Sequence, residues 1–352
     1  MLFGIANVVD KPQEAEQRAA LAAKLGARVT RVCMYWRDIE PAAGEFRFED
    51  TDKLVAACQK HGLAVQGQLA FPPPWAAVGP RDTDVLFPPR DLKAWKAFVF
   101  ETVERYDADG RDAVSPYSGR TVADAPRLRA PVRCWMVWMG VNRPSHFRGT
   151  AADYARVLLA ASEAIRAADP KARILVEFSA PLQRAAEQKR QGLAFALDEL
   201  LEQDPRVARA FDVLGFAFGD ADLVGVRPAL AELKATLQKH KLNTPIWFNG
   251  FGQFFDEGRR PADALPKTEY IRRAYQLARR NGIRVFLCGW LRSHSAAGLR
   301  YDFGLLNQDG SRQTPDAAAV FAELSRRQHC PERGGRGPAS TQPRSEELRE
   351  RR

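Results

Sequence analysis

The side chains best equipped for chemistry fall at the ends of apolar runs. Glu177 sits inside "ILVEFSAP", Asp220 ends "GFAFGD" with Asp222 just beyond it, and Asp10, Asp38, Asp256 and Glu257 follow other runs. Carboxylates so placed transfer protons or attack an electrophilic carbon. Trp36, Trp75 and Trp290, with Tyr35 beside the first, stand at or just past the ends of three runs. Aromatic faces stack on sugar rings, bases or apolar ligands, so such residues either line a cleft or close a core. His146 and His294 lie far apart and have no ligand spacing near them, so solvated loop residues are expected. No metal site and no cofactor is expected.

The elements that must position these groups repeat one pattern. "AALAAKLGARVTRVCMYW", "DKLVAACQKHGLAVQGQLAF" and "RRAYQLARRNGIRVFLCGW" each run from an amphipathic helix through a helix-ending glycine (Gly26, Gly62, Gly282) into a continuous apolar strand. Strands apolar on both faces that alternate with helices imply a parallel sheet covered by helices. Strands are predicted at 3–9, 28–36, 63–71, 133–139, 173–179, 212–218, 245–251 and 284–291. Helices are predicted at about 12–25, 50–61, 91–106, 150–168, 187–203, 228–240, 267–281 and 314–327. Eight strand-helix units predict a single (β/α)8 TIM barrel over residues 1–327, with reactive groups at the C-terminal strand ends. An open doubly wound sheet is the alternative, but no Gly-rich phosphate fingerprint follows the first strand, where "GIANVVDKPQEA" stands. The long stretch from Asp107 to Pro131 lies on the helix-to-strand side, where a structural role is expected.

Composition bounds the function. The 352-residue chain carries a formal charge of +10, but from Arg326 onward eight Arg against four Glu contribute +4 of it. This Gly/Pro/Arg-rich end, 328–352, is expected to be a disordered, solvated tail, which argues against nucleic acid as the partner. No run approaches the ~18–20 apolar residues that cross a bilayer, and the N-terminus lacks the pattern of a secretory leader. No membrane partner and a cytoplasmic location are therefore expected. The five cysteines are scattered singly, with Cys33, Cys134 and Cys288 inside apolar runs, and support neither a zinc site nor a disulfide framework.

A resemblance sharpens this frame. "RVTRVCMYWRDIEPAAGEFRFEDTDKLVAACQKHGLAVQGQLAFPPPWA" is similar to strands two and three of the clan A retaining glycoside hydrolases, especially family 39-like members. "DLKAWKAFVFETVERYDADG", "GTAADYARVLLAASEAIRAADPKARILV" and "FGLLNQDGSRQTPDAAAVFAEL" resemble later segments of the same enzymes, in the same order, to about residue 327. The resemblance implies a W-E-x-W-N-E-P pattern ending strand four and a T-E-F-G-like pattern ending strand seven, whose glutamates are acid/base and nucleophile. Strand four here reads "WMVWMGVN", with Met136, Met139, Gly140 and Val141 at the Glu, Asn, catalytic Glu and Pro places; strand seven reads "IWFNGFG", with Gly250 at the nucleophile. Ala217 stands where the family often carries a His.

Glycine supplies no proton, charge or hydrogen-bonding side chain, so no residue is expected to catalyse hydrolysis by the standard mechanism. The leading expectation is a degenerate glycosidase barrel that binds an oligosaccharide or polysaccharide through Arg31, Trp36, Trp75, Trp138, Asn142 and Trp290. Arg31 matches the clan's arginine beside the nucleophile; with that neighbour gone, either Glu177 compensates it or Glu177 faces a cation on a covering helix. Arg31, Arg143 and Arg292 tilt the mouth toward positive charge, which fits an anionic saccharide. Two rivals remain: an active enzyme using displaced acids, Glu177 with Asp220 or Asp222, and a scaffold whose rim contacts a protein partner.

Overall fold

The computed structural model describes residues 1–79, 85–122, 126–179, 195–219, 223–253, 264–296, 299–301, 304–313 and 316–327. Asp220, Asp222, Asp256, Glu257 and the 328–352 tail lie outside these residues. The predicted barrel is present. Its strands are β1 Leu2–Asn7, β2 Val29–Tyr35, β3 Ala64–Ala70, β4 Cys134–Val137, β5 Arg173–Ser179, β6 Val213–Phe218, β7 Ile246–Phe251 and β8 Val285–Arg292. Each pairs in parallel with the next, and β1 pairs with β8 from Leu2↔Val285 to Asn7↔Trp290, which closes the sheet.

The covering helices are α1 Ala15–Lys24, α2 Glu49–Lys60, α3 Leu92–Arg105, α4 Ala151–Ala168, α5 Leu197–Leu201, α6 Val226–Lys239, α7 Lys267–Arg280 and α8 Ala317–Arg327. Gly26, Gly62 and Gly282 end α1, α2 and α7 with φ of +96°, +73° and +70°, the left-handed conformation that lets the chain leave a helix and enter a strand. Thr150 and Asp153 form a capping box that starts α4. Of the predicted fifth helix, only Leu197–Leu201 falls within the described residues as α-helix. No helix among the described residues is long and apolar enough to cross a membrane.

Three local features escaped the sequence pattern. The 107–131 segment contains a small antiparallel ladder, Ala113–Val114 with Thr121–Val122. A short strand, Gly304–Leu306, adds alongside β8. And β7 carries one extra residue: Phe216↔Phe248 is followed by Ala217↔Gly250, and Phe286↔Phe248 by Cys288↔Phe251, a bulge around Asn249 seen from both neighbouring strands. The first two elements are only two or three residues long, too short to show periodicity, and a bulge leaves no compositional mark.

Candidate functional site

Four strands contribute to one buried polar layer inside the barrel. Arg31 comes from β2, Gln66 from β3, Glu177 from β5 and Asn249 from β7. Glu177 is 2% exposed and Arg31 5%. Arg31 Nη1 lies 3.4 Å from Glu177 Oε2, so the compensating pair forms and Glu177 does not face a helix-borne cation. Asn249 Nδ2 donates to the same oxygen at 2.7 Å, the Gly140 N–H donates to Oε1 at 3.2 Å, and Gln66 Nε2 donates to Asn249 Oδ1 at 2.9 Å. Met136 fills the remaining space, its Sδ 3.1 Å from Asn249 Nδ2. Burial pushes the Glu177 carboxyl up from its ordinary range, while Arg31, Asn249 and the Gly140 N–H pull it down. Every named partner is a donor, so the surroundings fit the ionised carboxylate, which only accepts.

Above this layer, at the C-terminal strand ends, lies a cavity of about 340 Å³. Asn7, Asp10, Arg31, Tyr35, Gln68, Met139 and Trp290 line it, with Asp38 and Asp50 on the same side. Two donors at its floor have no hydrogen-bond partner: Gln68 Nε2 and Arg31 Nε. A buried donor left unsatisfied costs on the order of 1–3 kcal/mol, and with Gln68 at 0% and Arg31 at 5% exposure neither reaches a ligand in this conformation. The carboxylates sit in peripheral ion pairs, Asp10 with Arg18 at 2.5 Å, Asp38 with Arg37 at 3.4 Å and Asp50 with Lys53 at 3.2 Å.

Placement corrects part of the predicted aromatic platform. Trp290 is half-buried and borders the cavity. Trp75 is half-buried against Trp36, ring centroids 5.5 Å apart, with its Nε1 on the Glu40 carbonyl at 3.3 Å. Trp36 and Trp138, by contrast, are core residues with 0% exposure. Trp36 begins the single helical turn Trp36–Ile39, stacks on Phe98 and donates to Glu40 Oε2 at 2.6 Å. Trp138 takes φ +65°, which breaks strand alternation and sends its ring against Phe71, Trp95 and Phe147. Asn142 is also 0% exposed and clamps the end of β5, donating to Ser179 O and accepting from Ser179 N–H, both at 2.8 Å. These three residues therefore hold the mouth in shape from behind and do not contact a ligand in this conformation.

The residues that sequence reasoning missed are Asn7, Gln66, Gln68 and Asn249. A signal existed for two of them: "VQGQLA" places two glutamines on one face of an otherwise apolar strand, and a polar face inside a barrel needs partners.

His146 also departs from expectation. It is half-buried rather than solvated, and burial first, then the charges of Arg143 and Arg31, push its pKa down to about 4. A histidine held neutral in the fold contributes stability that is complete above its unfolded pKa of 6.5 and is lost as pH falls toward 4. Denaturant melts between pH 7 and pH 4 should show a wild-type loss steeper than that of His146→Gln by up to about 3 kcal/mol. Parallel acid limbs for the two proteins would refute this placement.

No family model matches the chain, and no curated protein matches it. Solved structures do. A glucosidase from Croceicoccus marinus aligns with TM-score 0.63 and 15% identity over 92% of this chain and 67% of its own. A family 39 glycoside hydrolase from the gut symbiont Bacteroides cellulosilyticus WH2 aligns with TM-score 0.61 and 16% identity over 92% and 64%. A GH5_18 protein from Streptomyces cattleya, solved in complex with GlcNAc, aligns with TM-score 0.61 and 18% identity over 93% and 80%. The chain thus spans about two thirds of the length of the first two. At these identities the likeness is one of fold: the chain shares the (β/α)8 barrel of these proteins.

Proposed function

We propose that this barrel binds a carbohydrate at its C-terminal mouth without hydrolysing it. One observation carries the reading. Glu177, buried in the polar layer, is held by Arg31, Asn249 and the Gly140 N–H, while Gly140 just past β4 and Gly250 near the end of β7 carry no side chains. Retaining hydrolysis needs a carboxyl pair about 5–5.5 Å apart, one free to attack and one free to give up a proton. A carboxylate whose known contacts are all donors acts as a counter-charge for Arg31, which supports reading Gly140 and Gly250 as vacated catalytic positions.

The cavity's chemistry supports a polyhydroxylated ligand. Asp10 and Asp38 suit hydroxyl protons, and Trp290 with Tyr35 offers aromatic surface to ring C–H groups. The structural neighbours include glycoside hydrolases, one of them solved in complex with GlcNAc, and the same ligand class is the natural one to test here. The expectation of an anionic saccharide rested on excess positive charge at the mouth. That excess is reduced: Arg31 pairs with Glu177, Arg292 lies 3.4 Å from Glu14, and three aspartates line the cavity. A neutral saccharide is the favoured ligand.

The test is a screen of the full chain against neutral and anionic oligosaccharides, with calorimetric titration of each hit and a parallel panel of aryl-glycosides for turnover. Saturable binding lost in Trp290→Ala, with no turnover, is the expected result. Turnover abolished by Glu177→Gln would establish the displaced-acid enzyme instead, and absence of any glycan binding would leave the scaffold reading.

A further inference from the structure

Charge is spread unevenly over the outer wall of the barrel. α6, α7 and α8 together carry ten basic residues against three acids, whereas the other five helices carry nine against ten. The buried stripe of α7 runs from Tyr270 to Ala278, which leaves Arg272, Arg273, Gln276, Arg279 and Arg280 on the outward side. Part of this charge is accounted for locally. Arg272 and Arg327 share Glu323, each at 2.6 Å, and Arg273 pairs with Glu269 at 2.6 Å. Arg279 and Arg280 close α7, where a cation favours the helix dipole. Arg227 has no such reason. It stands in the first turn of α6, the positive end of the dipole, and neither it nor Arg280 has a partner among the described residues.

Between α6 and α7 lies a groove of about 640 Å³. Val224, Leu265 and Leu277 give it apolar surface, with Val224 77% exposed and Leu277 recessed, while Arg227, Arg273 and Arg280 stand exposed along it. Among the described residues no acid lines it. This combination selects one kind of occupant. Peripheral membrane binding needs apolar side chains that protrude, and Leu277 does not. A nucleic acid brings phosphates but nothing for the apolar surface, and the aromatics of these three helices, Tyr270, Tyr275 and Phe321, are buried where no base can stack on them. A protein helix with an apolar stripe flanked by carboxylates meets both halves of the groove.

We infer that the groove between α6 and α7 docks an acidic amphipathic helix of a partner protein, with apolar side chains on Val224, Leu265 and Leu277 and carboxylates on Arg227, Arg273 and Arg280. The groove is on the outer wall, away from the mouth, and the inference is independent of the sugar-binding reading. α7 is 14 residues long, about 21 Å, so a helix of similar length fills the groove. Burial of the apolar stripe supplies the affinity, and guanidinium pairs with carboxylates fix the register. Arg273 gives up Glu269 at little cost, because both partners of that pair are about half exposed. The wider basic face steers an acidic partner toward the groove.

The experiment is fluorescence anisotropy on the full chain at about 0.15 M salt, where long-range attraction is screened. The probe is a labelled peptide of about 14 residues with leucine at i, i+3, i+4, i+7 and onward and glutamate between them; the control has the same composition in scrambled order. Saturable binding at least about tenfold tighter than that of the scrambled peptide is expected. Arg227→Glu, Arg280→Glu and Val224→Asp, all at exposed positions, should each weaken it by about tenfold, while Arg111→Glu in the 107–131 segment should leave it unchanged. Thermal melts matching wild type establish that the variants are folded. Equal binding of the two peptides would mean bare charge attraction, and tighter binding of polygalacturonate, duplex DNA or phosphatidylserine vesicles, weakened by the same substitutions, would give the groove another occupant. Either result, no peptide binding, or binding indifferent to all three substitutions would overturn the assignment.

Discussion

Glu177→Gln should lower the stability of this protein by about 3 kcal/mol, because it removes the counter-charge of an arginine that stays buried. The substituted amide brings two further donors toward Asn249 Nδ2, Arg31 and the Gly140 N–H, so it cannot accept from all three as the carboxylate does. Chemical denaturation would read the loss. Arg31→Met in the Glu177→Gln background should recover part of it, since the stranded charge is then gone. A Glu177→Gln protein with an unchanged midpoint would mean that the ion pair carries no net energy, and the idea that this residue is a structural counter-charge would fail.

The two glycines at the strand ends should respond unequally to a side chain. Gly140 has φ +48°, and a Cβ there would meet Ser179 Oγ at 2.7 Å and His146 Nδ1 at 3.2 Å. Gly140→Ala is therefore expected to cost about 1–3 kcal/mol, from left-handed backbone strain and from displacing the groups that now fill the space. Gly250 meets only Ala217 Cβ at 3.6 Å, ordinary contact, so Gly250→Ala should lie within about 0.5 kcal/mol of wild type. Parallel urea melts decide the matter; equal costs at both positions would refute the asymmetry. On the proposed reading, position 250 has been emptied while position 140 has been emptied and then filled by its neighbours.

Much of the barrel was legible because its signals are local and repeated. Gly26, Gly62 and Gly282 mark helix exits, and a long apolar strand follows each. The partner of Glu177 was legible as one of two choices, because an acid in an apolar strand demands compensation and Arg31 was the inward candidate. What could not be read was which way a side chain turns once a strand stops alternating. Phe71 and Trp138 both leave their strands with positive φ, at 57° and 65°, so parity fails where the ligand-facing residues must be assigned. Asn249 was hidden for a related reason: the bulge shifts its strand by one residue, and a linear pattern match passes over the side chain that actually reaches Glu177.

Asn249 is followed directly by Gly250, the dipeptide whose amide most readily cyclises and deamidates when the backbone is free to bend. In the folded barrel the strand holds Asn249 rigid and dry, with 0% exposure. Unfolded chains have no such protection, and the product would carry a carboxylate where an amide now sits 2.7 Å from Glu177. Two facing anions in that interior oppose re-entry to the native state. Prolonged heating would then turn a reversible transition into an ageing process, with each chain keeping a chemical memory of the time it spent open.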